Sequence, residues 1–137
     1  MPSIKTFTVF EDRIDVFVDS SMSNGLSSTL VQEVHPGGGP PPHSHTKEDE
    51  TFVVLDGDFE FLMDGKWQPL VPGEAAYARR GSIHTFRNSG KAIGRLLIVV
   101  TPGGFEKFLE EIGGYSPATD MPKIIEISNH YGITFYL

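Results

Sequence analysis

Short runs of β-branched and aromatic residues recur between turn signals at residues 4–10, 14–18, 28–34, 50–55, 59–63, 75–78, 84–87 and 93–100. That density of short strands predicts a β-sandwich or barrel. Phe59, Phe61 and Met63 alternate with Glu60, Leu62 and Asp64, the pattern of a strand with one wetter face, and the first set is expected to point inward. Asp56-Gly57 and Asp64-Gly65 are hairpin-turn dipeptides, and Asn88-Ser89-Gly90 can make a third turn. They place 50–55 and 59–63 as antiparallel neighbours.

The periodicity changes after Thr101-Pro102-Gly103-Gly104. Phe105, Phe108, Leu109 and Ile112 fall at i, i+3, i+4 and i+7 with charged residues between them, which predicts an amphipathic helix ended by Gly113-Gly114. Its apolar face is expected to pack on the barrel's outer wall, the alternative being a lid over the mouth. A second helix is expected from Asp120-Met121-Pro122 to Gly132, burying Ile124, Ile127 and Tyr131, with a last short strand at 133–137. The Gly37-Gly38-Gly39-Pro40-Pro41-Pro42 stretch reads as a stiff loop leading into the strand of His43. The expected organisation is one domain, with a barrel at about 4–101 and a helical tail with its strand at about 103–137.

With 137 residues the chain fits a single core. A net charge of −7 disfavours nucleic acid and anionic membrane surfaces as partners. The absence of cysteine excludes disulfides and thiolate ligands. Residues 1–20 lack a basic start followed by an apolar run, and stretches such as 96–100 are too short to span a bilayer, so the expectation is a cytoplasmic protein.

His43 and His45 stand two apart, so on a strand both side chains point to one face and reach one ion together. Glu50 follows five residues later and His84 thirty-four after that. Three imidazoles and a carboxylate suit Fe, Mn, Ni, Co, Cu or Zn, and they leave two positions of an octahedron open for water, O2 or a chelating substrate. Glu48 and Asp49 compete for the carboxylate position. Glu50 is preferred because it opens the strand run, its neighbours being expected to face solvent. His35 and His130 have no partner pattern and are read as ordinary. Arg79 and Arg80, the only adjacent basic pair, fit a solvated turn better than a substrate-greeting rim.

The spacing continues outward to Gly37, six before His43, and Gly57, seven after Glu50, and a second cluster joins Gly73, Gly81, His84 and Asn88. This resembles the two-part cupin signature, Gly-x5-His-x-His-x4-Glu-x6-Gly followed by Gly-x5-Pro-x-Gly-x2-His-x3-Asn, with Arg79 standing where the second part has proline. The resemblance implies an all-β fold, the double-stranded β-helix or jelly-roll barrel, here with a short C-terminal helical extension. It also implies a metal held by His43, His45, Glu50 and His84, and a homodimer paired through sheet edges or the N-terminal strand at 4–10. If His84 and Glu50 point into the barrel, Phe86, Phe52 and Val54 do too, with Phe61, Met63 and Tyr77 as further pocket candidates. Cupins include dioxygenases, isomerases, epimerases, decarboxylases, regulators and storage proteins. The paired motif followed by Thr101-Pro102-Gly103-Gly104-Phe105 resembles small cupins of the quercetin-dioxygenase-like kind. The expected function is a mononuclear metal-dependent oxygenase for a small apolar or aromatic, oxygen-bearing molecule, with Glu50 doubling as a base. A metal-dependent isomerase or lyase and a non-catalytic ligand-binding module are the alternatives.

Overall fold

The computed structural model describes residues 1–137 and consists of two facing antiparallel sheets and two short helices. The six-stranded sheet runs in the order β1 (Lys5–Val9), β2 (Asp12–Val18), β3 (Ser28–Val34), β10 (Gly94–Thr101), β5 (Asp49–Asp56), β8 (Ala75–Ala78). The five-stranded sheet runs β11 (Ile133–Phe135), β4 (His43–His45), β9 (His84–Asn88), β6 (Phe59–Met63), β7 (Lys66–Leu70). Helices α1 (Phe105–Ile112) and α2 (Met121–His130) lie between β10 and β11. This is the mostly-β jelly roll with a short helical extension that the resemblance implies, a specific form of the sandwich or barrel that the patterning predicts.

Alternation explains which side chains meet inside. Leu96, Ile98 and Val100 of β10 are buried, and β10 lies between β3 and β5, whose Leu30, Phe52 and Val54 are buried too. From the other sheet, Phe59, Phe61 and Phe86 fill the same core, with Phe61 and Phe86 directly paired. All four glycines of the signature, Gly37, Gly57, Gly73 and Gly81, take φ between 75° and 90°, the left-handed region that a side chain disfavours. Gly37, Gly73 and Gly81 act as turn residues with open space around them, whereas Gly57 also lies against the Gly94 backbone, where a Cβ would stand 2.9 Å from the Gly94 Cα.

The stiff loop before β4 owes its course to a fifth glycine. Gly39 has φ 147°, and a Cβ there would meet the Phe86 carbonyl oxygen at 2.0 Å. Hydrogen bonds on both sides, Gly37 N to Asn88 O and Asn88 N to Gly38 O before it, each 2.9 Å, and the Thr85 hydroxyl to Pro40 O after it, 2.6 Å, prevent the backbone from moving away. Gly39→Ala is therefore expected to cost about 1–3 kcal/mol, the range for overpacking against an unyielding neighbour. Urea unfolding of wild type and variant measures it, and equal midpoints would contradict the close approach.

Three expectations need correction here. Strand β7 has no counterpart among the expected strands, because Lys66, Trp67, Gln68 and Pro69 are all exposed on an edge strand and show no alternation; Trp67 is instead covered by the Arg87 guanidinium, 4.1 Å from its ring centre. Tyr77, expected in the pocket, is 59% exposed. Its neighbour Ala78 is the buried residue and pairs with Glu50, whereas Tyr77 pairs with outward-facing Thr51, so the phase of β8 is opposite to the one expected. Helix α1 does not cover the outer wall: Phe105, Phe108, Leu109 and Ile112 line the internal cavity that holds the histidines. The helix is tied down by buried Glu106, which accepts hydrogen bonds from Ser20 N at 3.1 Å and from the Ser28 hydroxyl. Helix α2 and β11 form where expected, with Ile124, Ile127 and Ile133 buried, but Tyr131 caps the helix and is only half-buried, and the strand stops at Phe135 instead of running to Leu137.

Candidate metal centre

The two sheets each bring part of the site. Strand β4 is only three residues long, and its alternation sends His43 and His45 into the barrel while Ser44 turns away to the Tyr136 hydroxyl at 3.0 Å. His43 is in register with His84 on the adjacent β9. Glu50 comes from β5 in the opposite sheet, so the four side chains meet across the barrel interior. One ligand atom from each lies within 4.8 Å of all the others, and all four residues are buried. Glu50 Oε2 is 2.8 Å from His84 Nε2 and 3.5 Å from His45 Nε2.

The hydrogen bonds around the rings fix their tautomers. Nδ1 of His43 faces the Pro41 carbonyl at 2.9 Å, and Nδ1 of His84 faces the Ser82 carbonyl at 3.1 Å. A carbonyl only accepts, so both Nδ1 atoms carry the proton; Nε2 of His43 is then left with its lone pair, while Nε2 of His84, 2.8 Å from the Glu50 carboxylate, donates a proton to it that a bound ion would displace. Burial, followed by the charge of His84, pushes the His43 imidazole down to about 4, which keeps it neutral near neutral pH. Burial alone would raise Glu50, yet the His45 charge and the His84 hydrogen bond outweigh it and hold the carboxyl below its usual range. His45 is likewise pulled down by burial, but Glu50 and Glu48 outweigh this and leave its pKa raised.

A divalent ion fits this donor set on one particular observation. His45 is 1% exposed, and neither of its ring nitrogens has a hydrogen-bond partner. An unpaired buried polar atom costs about 1–3 kcal/mol, and an ion held by His43, His45, Glu50 and His84 would remove that cost at His45 Nε2. The set of nitrogen and oxygen donors suits Fe, Mn, Ni, Co, Cu or Zn.

A cavity of about 640 Å³ opens beside the cluster, a size suited to a small organic ligand. His43, His45 and Glu50 lie on its wall with Phe52, Phe86 and Ile98. Of the other expected pocket residues, Val54 and Phe61 are buried in the core but do not line this cavity, Met63 is half-buried beside His84 in the β-ladder, and Tyr77 is outside. The remaining wall comes from the tail, through α1, Ile124, Ile133 and Phe135, from the glycine-proline loop, and from the β1–β2 turn with Glu11 and Asp12 and the nearby Gln32 and His35. No lysine or arginine lines it.

Of the two acidic neighbours of Glu50, Asp49 follows the expectation and Glu48 does not. Asp49 does lie near the surface, but it is held by Arg80, whose backbone N donates to it at 2.7 Å and whose guanidinium donates at 2.9 Å, keeping the Asp49 carboxyl below its usual range. Arg80 is thus engaged in fastening a turn. Glu48, expected in solvent, is only 9% exposed, and its Oε2 sits 3.5 Å from His45 Nδ1. His35 lies on the cavity wall, bonded to Asp12 Oδ1 at 2.9 Å, and does not join the cluster; His130 is exposed at the end of α2.

Comparison with known proteins bears on the fold and the family. An uncharacterized protein of Aquifex aeolicus (strain VF5) is 34% identical over 61 residues, 44% of this chain and 50% of that protein, so the chain spans about half the length of that curated relative. Among solved structures, KdgF from a Halomonas species superposes with a TM-score of 0.67 at 17% identity, over 75% of this chain and 90% of that one, a likeness of fold. The polyketide cyclase RemF from Streptomyces resistomycificus superposes with a TM-score of 0.59 at 27% identity, over 66% and 65% of the two chains. Residues 30–100, a stretch that contains the whole four-residue cluster, match the Cupin_2 profile of the cupin domain, and the chain belongs to the cupin family.

Proposed function

We propose that this cupin is a mononuclear metal-dependent oxygenase whose substrate is small, largely apolar or aromatic, and carries oxygens that can chelate. The observation that carries the reading is the opening of His43, His45 and Glu50 of the cluster onto a largely apolar cavity with no lysine or arginine on its wall. Such a wall favours an aromatic or aliphatic body and disfavours a sugar phosphate, whose charge would need basic partners. A bound transition metal would polarise the substrate's oxygens and, if redox-active, supply the electrons that oxygen chemistry needs. The chain's own residues orient and shield. Phe52 and Phe86 flank the cluster and fix the plane of a ring, while Phe105 and Phe108 of α1 exclude water. The Phe105 ring centre is 5.2 Å from that of His45, so the helix reaches the centre itself. Glu50, held in its ionised form, is the group placed to accept a proton from a bound hydroxyl.

A second reading, a metal-dependent isomerase or lyase without O2, draws support from the likeness to a protein described as a polyketide cyclase. Oxygen-electrode assays separate the two. Protein reloaded with each candidate metal and given flavonols, catechols or enolised diketones in air is expected to consume O2 only when metal is present. Phe86→Ala is expected to change which compounds react while leaving metal content unchanged, because it alters the wall and no donor. Turnover without O2 uptake would favour the second reading, and a ligand bound unchanged would favour a binding module.

A further inference from the structure

Each inward-facing histidine needs something at Nδ1 to aim its Nε2, and only two of the three find a backbone carbonyl, His43 at Pro41 and His84 at Ser82. The third, His45, has Glu48. We infer that Glu48 is a positioning residue of the metal centre, its carboxylate accepting the Nδ1–H of His45 and so holding that ring's Nε2 toward the ion. This rests on the metal-binding reading of the cluster and adds a fifth side chain to it.

Two unpartnered atoms of opposite kind carry the inference. His45 Nδ1 and Glu48 Oε2 are both buried, both lack any hydrogen-bond partner, and stand 3.5 Å apart. A few tenths of an ångström close that gap to an ordinary charge-assisted bond. The backbone beside them is pinned, Gly81 N donating to His45 O at 2.7 Å and Thr46 N to Gly132 O at 2.9 Å, so a side-chain rotation is what closes it. Glu48 does not itself belong to the group of converging donors. Charge gives a second reason for a carboxylate at this place: three neutral imidazoles and Glu50 leave a divalent ion with one uncompensated positive charge in a buried site, and Glu48 neutralises it.

The test measures cobalt and zinc affinity by competition with a chromogenic chelator, the visible spectrum of the cobalt form, and the ring N–H resonances of the zinc form. Glu48→Ala is expected to lower affinity about 10- to 100-fold, the range for partners of metal-bound histidines. Glu48→Gln should lose less, because its amide oxygen still accepts from Nδ1. The cobalt spectrum should shift in Glu48→Ala and be largely restored in Glu48→Gln, and an exchange-protected His45 Nδ1–H should be present in wild type and absent in Glu48→Ala. A role confined to general stability would move the melting temperature without moving the spectrum, and that result overturns the proposal. Wild-type affinity and spectrum in both variants overturn it as well. If Glu48→Gln loses more than Glu50→Gln, Glu48 binds the ion directly and the positioning role is wrong. A wild-type chain that takes up neither metal overturns the metal reading itself, an outcome distinct from metal uptake that ignores Glu48.

Discussion

His84→Ala is expected to reduce bound metal from about one ion per chain to a trace, with affinity down more than about 100-fold, beyond what losing an outer hydrogen-bond partner costs. The expectation follows from position. His84 Nε2 is the nitrogen nearest to Glu50 Oε2, at 2.8 Å, and the Ser82 carbonyl holds the ring at Nδ1 so that Nε2 faces the cluster. Alanine removes one donor and also leaves Glu50 buried without its closest partner. His35→Ala and His130→Ala are the matched controls, since neither side chain belongs to the cluster. Elemental analysis of the four proteins, with circular dichroism to confirm a common strand content, measures the effect. Equal losses at His84, His35 and His130 would show that the donor assignment is wrong.

Removing the metal is expected to destabilise the whole barrel. An ion that binds the folded chain alone, at a free concentration a thousand times its dissociation constant, adds about 4 kcal/mol. For a chain of this length that corresponds to a fall of about 10–20 °C in melting temperature when a chelator strips the ion. The coupling is direct because the donors bridge the two sheets: His43, His45 and His84 belong to the five-stranded sheet and Glu50 to the six-stranded one. The ion would thus act as a cross-link between layers otherwise held by apolar packing. Calorimetry with and without chelator measures it, and an unchanged transition after verified metal loss would contradict the bridging geometry.

What the sequence could and could not announce follows from the range of each signal. The donors were legible because His-x-His on a strand is a local pattern, and the glycines around it mark turns whose positive φ is also a local property. Strands β5, β6 and β10 were legible because one face is buried and one is wetter, which writes a period of two into the residues. Edge strand β7 has no buried face and therefore wrote nothing. At β8, four residues of Ala-Ala-Tyr-Ala offer no contrast except the tyrosine, and its bulk suggested the inward face when alanine was needed opposite Glu50. The amphipathic pattern of α1 announced an apolar face but not its target, which depends on where the chain leaves β10. Glu48 was hidden for a related reason: an acidic residue in an acidic run reads as solvated, and only the placement of His45 Nδ1 beside it explains its burial.

The central claim is that His43, His45, Glu50 and His84 together hold one divalent ion. X-ray absorption at the edge of the bound metal tests it most directly, on wild type and on His84→Ala loaded with zinc in excess. The predicted wild-type spectrum shows the multiple scattering of three imidazoles and a nitrogen-oxygen shell at about 2.0–2.2 Å without sulfur, and the variant shows one imidazole fewer. A wild-type spectrum with a single imidazole or none, or a variant spectrum identical to wild type, would contradict the claim.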